Sequence, residues 1–250
     1  MADAKVVLVT GAARRIGACI VETFHRHTYR VIVHYRQSAV AAKALVDTLN
    51  EQRPHSAACI GSDFNNNAEV EQLAGAALRC FGRLDVLVNN ASSFYATNFG
   101  EVTQSQWDDL HNSNLRAAFF LAQSLGEEIA SQRGAIVNVI DTHADRPLKN
   151  YPIYSIAKAG LQAITRSLAV ELAPEVRVNG IAPGAILWPE LLQDSEDPSV
   201  LEARERVLRN IPLGALGKKQ DIADAVYFLA NDADYVTGQV IRVDGGRSLA

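Results

Sequence analysis

The amino-acid sequence predicts an α/β protein built on a doubly wound parallel sheet, and three observations carry that expectation. Short apolar runs rich in β-branched residues recur along all 250 residues and alternate with stretches of helical period, the pattern of repeated strand–helix–strand units. Several runs are apolar at consecutive positions, as in strands covered by helices on both faces. The first run, 5–10 (KVVLVT), leads directly into a glycine-containing turn at 11–17 and then a helical stretch, a layout suited to a phosphate at a helix N-terminus.

The elements follow in order. After the turn, Ile16, Cys19, Ile20 and Phe24 share one side of a helix. Arg30–Tyr35 (RVIVHY) is a second strand and 38–49 a second helix. Short strands at 57–60 and 84–89 flank a helix at 68–80, and one long helix is expected over 104–129. The run 135–140 (AIVNVI) is another strand. The helix bearing Tyr154 follows, with Ile156, Leu161, Ile164, Leu168 and Leu172 expected towards the core. The last strands are 176–181 and Val240–Val243, and parallel neighbours imply right-handed crossovers. No repeat or Gly/Ser linker interrupts 1–250, so one domain is expected. The segment 183–212 breaks the rhythm with prolines, an acidic cluster and a short amphipathic piece, and is expected to be an irregular substrate loop.

Composition narrows the classes. Hydrophobic content of 48% with 21% charged residues is that of a soluble globular protein. A net charge of −4 and the lack of a Lys/Arg-rich run argue against nucleic acid as a partner. No apolar stretch approaches the roughly 20 residues that span a bilayer, and the run before the glycine turn reads as a core strand, not a signal peptide. Cys19, Cys59 and Cys80 are far apart without metal-ligand spacing, so reduced thiols and a cytoplasmic location are expected.

Two places carry chemistry. Tyr154 and Lys158 are four apart on a helical pattern and so lie on one face, a turn apart. An ammonium beside a phenol favours the phenolate, so Lys158 is expected to lower the Tyr154 pKa and let it give up a proton as hydride arrives nearby. At the other end, Gly11 and Gly17 suit a pyrophosphate, while Arg14 and Arg15 add guanidinium groups beside it. The second strand ends His34-Tyr35-Arg36-Gln37-Ser38, with no acid for a ribose hydroxyl. Arg14, Arg36 and Ser38 could instead hold an extra phosphate, which points to NADPH.

Taken with Asp63, Asn89-Asn90-Ala91, Asn114, Pro183-Gly184 and Val243-Asp244-Gly245-Gly246, the chain resembles the short-chain dehydrogenase/reductase family over nearly its whole length. The resemblance implies a Rossmann-like domain, commonly a homotetramer, with helices around Trp107 and Tyr154 packing between subunits. It implies Tyr154 as acid, Lys158 on the nicotinamide ribose and Asn114 holding a relay water. It puts Ile16, Asp63, Phe64, Asn90, Ala91, Pro183 and Gly184 among the cofactor contacts with His34 and Tyr35.

Where that family keeps a catalytic serine, thirteen residues before the tyrosine, this chain has Asp141. A hydroxyl donates to a ketone oxygen; a carboxylate only accepts. Asp141 therefore suits a ring with N–H donors. With the arginine pair and Ser92-Ser93-Phe94-Tyr95, it resembles the pteridine reductases. There the residue matching Phe94 stacks the pterin on the nicotinamide, that matching Ser92 contacts it, and that matching Arg15 reaches pterin and phosphates. Trp188 either closes over the pocket or packs beneath it; His143 is assigned no role. The expected activity is NADPH-dependent reduction of a pterin. A carbonyl reductase of the 3-oxoacyl class and a non-catalytic NADP(H)-sensing protein are the rivals.

Overall fold

Seven strands form one all-parallel sheet: β1 (Val6–Val9), β2 (Arg30–Tyr35), β3 (Ala57–Gly61), β4 (Val86–Asn89), β5 (Ala135–Val139), β6 (Arg177–Pro183) and β7 (Val240–Val243), in the order β3-β2-β1-β4-β5-β6-β7. The computed structural model describes residues 4–188 and 197–250. β1 is fully buried on both faces, which its unbroken VVLV run requires. Val7 and Val9 point to one layer with α1 (Arg15–Arg26), α2 (Ala39–Gln52) and α8 (Lys219–Tyr227). Val6 and Leu8 point to the other, where α3 (Asn67–Phe81), α5 (Ala117–Ser131) and part of α6 (Pro152–Glu171) pack. Burying one Leu, Ile or Phe side chain is worth about 2 kcal/mol, so the two layers rather than local propensity hold the helices.

The strand order reverses between β1 and β4, and connections from the two strands leave in opposite directions. A crevice outside the carboxyl ends follows from that topology. A buried chain from Asn89 through Asn138 to Thr165, with bonds of 2.8 and 2.9 Å, fixes α6 onto this part of the sheet.

Three expectations are corrected. The helix expected over 104–129 is α4 (Gln104–His111) and α5 joined through a π-turn, Asn112–Arg116, because the extra residue lets Asn114 turn inward to bond Ser93 and Leu110 carbonyls. Ile156 is 49% exposed: the buried face of α6 runs through Ile153, Ala157, Leu161, Thr165 and Ala169. The 183–212 segment is not simply irregular, since α7 (Pro198–Arg209) begins at an Asp197 cap that bonds the Ser199 N–H at 2.8 Å. Residues 189–196 of that segment lie outside the described residues. The helix α8 was not anticipated from sequence; it packs against α1 through Ile222, Ala223 and Val226.

Candidate active site

The crevice at the β1/β4 switch is a cleft of about 570 Å³. Its floor is the turn after β1. Gly11 has φ +60°, and a Cβ there would come within 2.7 Å of the Ala91 backbone; one on Gly17 would meet the Gly11 carbonyl at 2.5 Å. Only glycine allows this packing. Asn90 ties the two strand ends together, donating to the Thr10 and Gly11 carbonyls at 2.8 and 3.0 Å. The N-terminus of α1 has no side-chain cap and no acid in its first turn, so free N–H groups and positive dipole face the cleft, as a pyrophosphate needs.

Arg14, Arg15, Ile16, Tyr35, Arg36, Ser38, Asp63, Phe64, Asn90 and Ala91 all line this cleft. Arg15 stands at φ +56°, a left-handed backbone that a glycine would adopt freely and an arginine adopts at a cost of about 1–2 kcal/mol. Strain at a side chain directed into a cleft is a signature of use. His34 lies beneath the turn with 2% exposure: its Nδ1 accepts from the Gly11 N–H at 3.0 Å, its Nε2 is 3.1 Å from the Ser62 carbonyl, and its ring stacks on Phe64. Burial holds it neutral, with its pKa lowered to about 4. Arg36 pairs with Asp109 at 3.1 Å, a residue that also accepts from Asn65 and Tyr95. These bonds keep the Asp109 carboxyl below its ordinary pKa against the opposing effect of burial.

The other end of the cleft is aromatic and acidic. Tyr154, in the first turn of α6 behind Pro152, donates to Asp141 Oδ2 at 2.7 Å. Asp141 Oδ1 accepts from the His143 N–H at 2.8 Å, capping the short turn Thr142–Ala144. One oxygen fixes the carboxylate and the other takes the phenol. Burial and then Asp141 raise the Tyr154 pKa well above that of a free tyrosine; the Ser92 hydroxyl opposes this weakly. The sequence expectation of a lowered pKa is therefore corrected. Lys158 is buried, its Nζ donates to the Val139 carbonyl at 3.0 Å, and it stands 5.7 Å from the Tyr154 ring centroid, too far to offset a carboxylate in direct contact. Burial lowers the Lys158 pKa to about 8.

Ser92 Oγ donates to Asn114 Oδ1 at 2.7 Å, so Asn114, Ser92, Tyr154 and Asp141 form one connected polar row. Phe94 lies edge-on to Tyr154, 4.8 Å between centroids, and stacks on Tyr151 at 4.6 Å. The structure thus brings Ser92, Phe94 and Tyr154 to the cleft wall, with Asp141, Lys158 and Asn114 directly behind. Pro183 and Gly184 stand at the end of β6, two strands from β4, and with Trp188 are outside that wall. Tyr151 and Asp109 were not anticipated. The first was visible as an aromatic three residues before Tyr154; nothing local marks the second.

Comparison with known proteins gives the family. A family model described as Enoyl-(Acyl carrier protein) reductase matches residues 11–248. Pteridine reductase 1 of Leishmania tarentolae is 38% identical, covering 98% of this chain and 97% of its own. The chain belongs to the short-chain dehydrogenase/reductase family. A 3-oxoacyl-(acyl-carrier-protein) reductase of Staphylococcus aureus is 36% identical, with 97% of each chain covered, and 3beta-hydroxysteroid dehydrogenase 1 of Eggerthella lenta is 33% identical over 98% and 94%. This family member is accordingly an oxidoreductase, of a family that uses nicotinamide cofactors. No helix among its described residues is long and apolar enough to cross a membrane.

Proposed function

We propose that this chain is an NADPH-dependent reductase of pterins, taking a dihydropterin, and dihydrofolate-type relatives, to the tetrahydro form. The observation that carries this reading is the Tyr154–Asp141 hydrogen bond in the wall of the cleft. A carboxylate there repels the oxyanion that forms from a ketone, whereas it accepts hydrogen bonds from the N–H groups of a pterin ring. Phe94, half exposed beside Tyr154, offers a face for a flat heterocycle.

The chain's residues fit the cofactor: glycine contacts too close for a side chain, free N–H groups at α1, and Arg14, Arg36 and Ser38 where an NAD site would carry an acid. Bound NADPH supplies the hydride. Tyr154 holds its proton at neutral pH and delivers it to the ring nitrogen as that atom becomes basic. Because Asp141 disfavours a phenolate, the tyrosinate left by that transfer takes up a proton from solvent water before the next turnover. Lys158 keeps a cation beneath the site at pH 7.

The proposal extends to a homotetramer, which the exposed apolar residues Trp107, Phe119 and Ile156 along α4–α6 support, and to a cytoplasmic location, which the three free cysteines suit. The 183–212 segment with Trp188 is assigned to the substrate side. Steady-state turnover of dihydrobiopterin against an acetoacetyl thioester, each with NADPH and NADH, tests the reading. Faster kcat/KM for the thioester ends it, and a preference for NADH ends its cofactor half. The second reading, a carbonyl reductase, is favoured by the 36% and 33% identical relatives and opposed by Asp141. A non-catalytic NADP(H) sensor is opposed by the joint presence of Asn114, Tyr154 and Lys158; reductase activity that survives Tyr154→Phe would revive it.

A further inference from the structure

The apolar stripe of α7 has an arginine at its centre. Val200, Leu201, Val207 and Leu208 fall at positions i, i+1, i+7 and i+8, one face of the helix, and Arg204 occupies i+4 between them. The other arginines of α7 pair with carboxylates one turn back: Arg206 with Glu202 at 3.2 Å and Arg209 with Glu205 at 3.7 Å. Arg204 has Val200 and Leu208 at those spacings, so its own helix offers it no acid. It faces inward, its guanidinium 5.6 Å from the Trp188 ring centroid.

Its Nε and Nη2 are buried and have no hydrogen-bond partner among the described residues. Buried polar groups of a folded protein are almost always paired, and a desolvated guanidinium edge is costly to leave empty. These two atoms form the edge of an arginine that grips a carboxylate with two parallel bonds. The same chain shows that use at Arg83, whose Nε and Nη2 hold Asp85 at 3.0 and 2.6 Å. Position completes the argument. Trp188 stands four residues beyond Gly184 at the carboxyl end of β6, and Asn210, the residue after α7, shares a hollow with Thr142 and His143, the two residues that follow Asp141. Arg204 therefore sits on the connection that leaves the carboxyl end of β6 and returns, at Asn210, beside the turn that follows Asp141.

We infer that the Nε–Nη2 edge of Arg204, backed by Trp188, is a receptor for a carboxylate on the tail of the substrate. This rests on the pterin reading for the nature of the ring and deepens it: substrates of the pteroylglutamate kind, which carry tail carboxylates, engage Arg204, and pterins with a neutral side chain do not.

The test compares wild type, Arg204→Gln and Arg204→Lys in steady-state reduction of dihydrofolate and dihydrobiopterin with NADPH. A second arm measures binding of N-(4-aminobenzoyl)glutamate, which has the tail without the ring, to the NADPH-loaded protein by calorimetry. In Arg204→Gln the KM for dihydrofolate rises about tenfold or more with kcat nearly unchanged, dihydrobiopterin is unaffected, and aminobenzoylglutamate binding weakens to a similar degree. Arg204→Lys, which keeps the charge and loses the paired edge, falls between. Equal effects on both substrates, or aminobenzoylglutamate binding that does not depend on Arg204, overturns the inference. If neither pterin is turned over while that binding still depends on Arg204, the pterin reading fails and the carboxylate site stands.

Discussion

Tyr154 and Asp141 share a hydrogen at 2.7 Å, and the second oxygen of the same carboxylate is anchored by the His143 N–H at 2.8 Å. The carboxylate is thus oriented by the backbone of its own turn and does not depend on the phenol for its position. That arrangement makes Tyr154 a tenacious holder of its proton and makes the site one of acceptors rather than donors.

Lys158 sets the alkaline limit. With its pKa lowered to about 8, it is an ammonium at pH 7 and loses its charge above pH 8. The pH profile of kcat/KM for NADPH-dependent reduction is expected to fall above about pH 8 in the free enzyme, and Lys158→Arg is expected to remove that limb while lowering the plateau. A profile flat to pH 9.5 in the wild type would contradict the assignment.

His34 sets an acid limit on stability rather than on rate. Its folded pKa, about 4, lies below the ordinary 6.5. Between those values the unfolded chain binds a proton that the native one does not, so stability falls as pH falls through 6.5 towards 4. The loss is on the order of 3 kcal/mol. Urea midpoints at pH 7 and pH 4.5 should differ markedly in the wild type and far less in His34→Asn, which retains an acceptor for the Gly11 N–H and cannot titrate.

The Arg36–Asp109 pair separates binding from stability. Its side chains are 39% and 22% exposed, and such pairs contribute less than about 1 kcal/mol to folding. Asp109→Ala should therefore shift the Tm by only a few degrees. Arg36→Ala should raise the KM for NADPH about tenfold or more and leave that for NADH nearly unchanged, because only NADPH carries the extra phosphate. An equal change for both cofactors would remove Arg36 from that phosphate.

Much of the fold was legible because β1, β2, β4 and β5 are buried on both faces and are written mostly in apolar, β-branched residues. What stayed hidden depended on distance or on broken patterns. Asp109 meets Arg36 across 73 positions, with no local trace. Helix α7 was legible only as a short amphipathic piece without bounds, because Arg204 interrupts its apolar stripe. Tyr154 misled through its spacing from Lys158: an i, i+4 pair reveals two residues on one face, but not that the ammonium turns to the Val139 carbonyl while a carboxylate from beyond β5 reaches the phenol first. His34, at a strand end that borders the cleft, gave no sequence sign that one ring nitrogen holds the Gly11 N–H while the other meets the Ser62 carbonyl.

The central claim, that an acceptor-only side chain at 141 selects ring nitrogen over ketone oxygen, is tested most directly by Asp141→Ser assayed on dihydrobiopterin and on an acetoacetyl thioester. The substitution is expected to lower kcat/KM for the pterin by about a hundredfold or more and to leave the thioester rate unchanged or raised. Pterin turnover that survives the serine while thioester turnover declines would contradict the account.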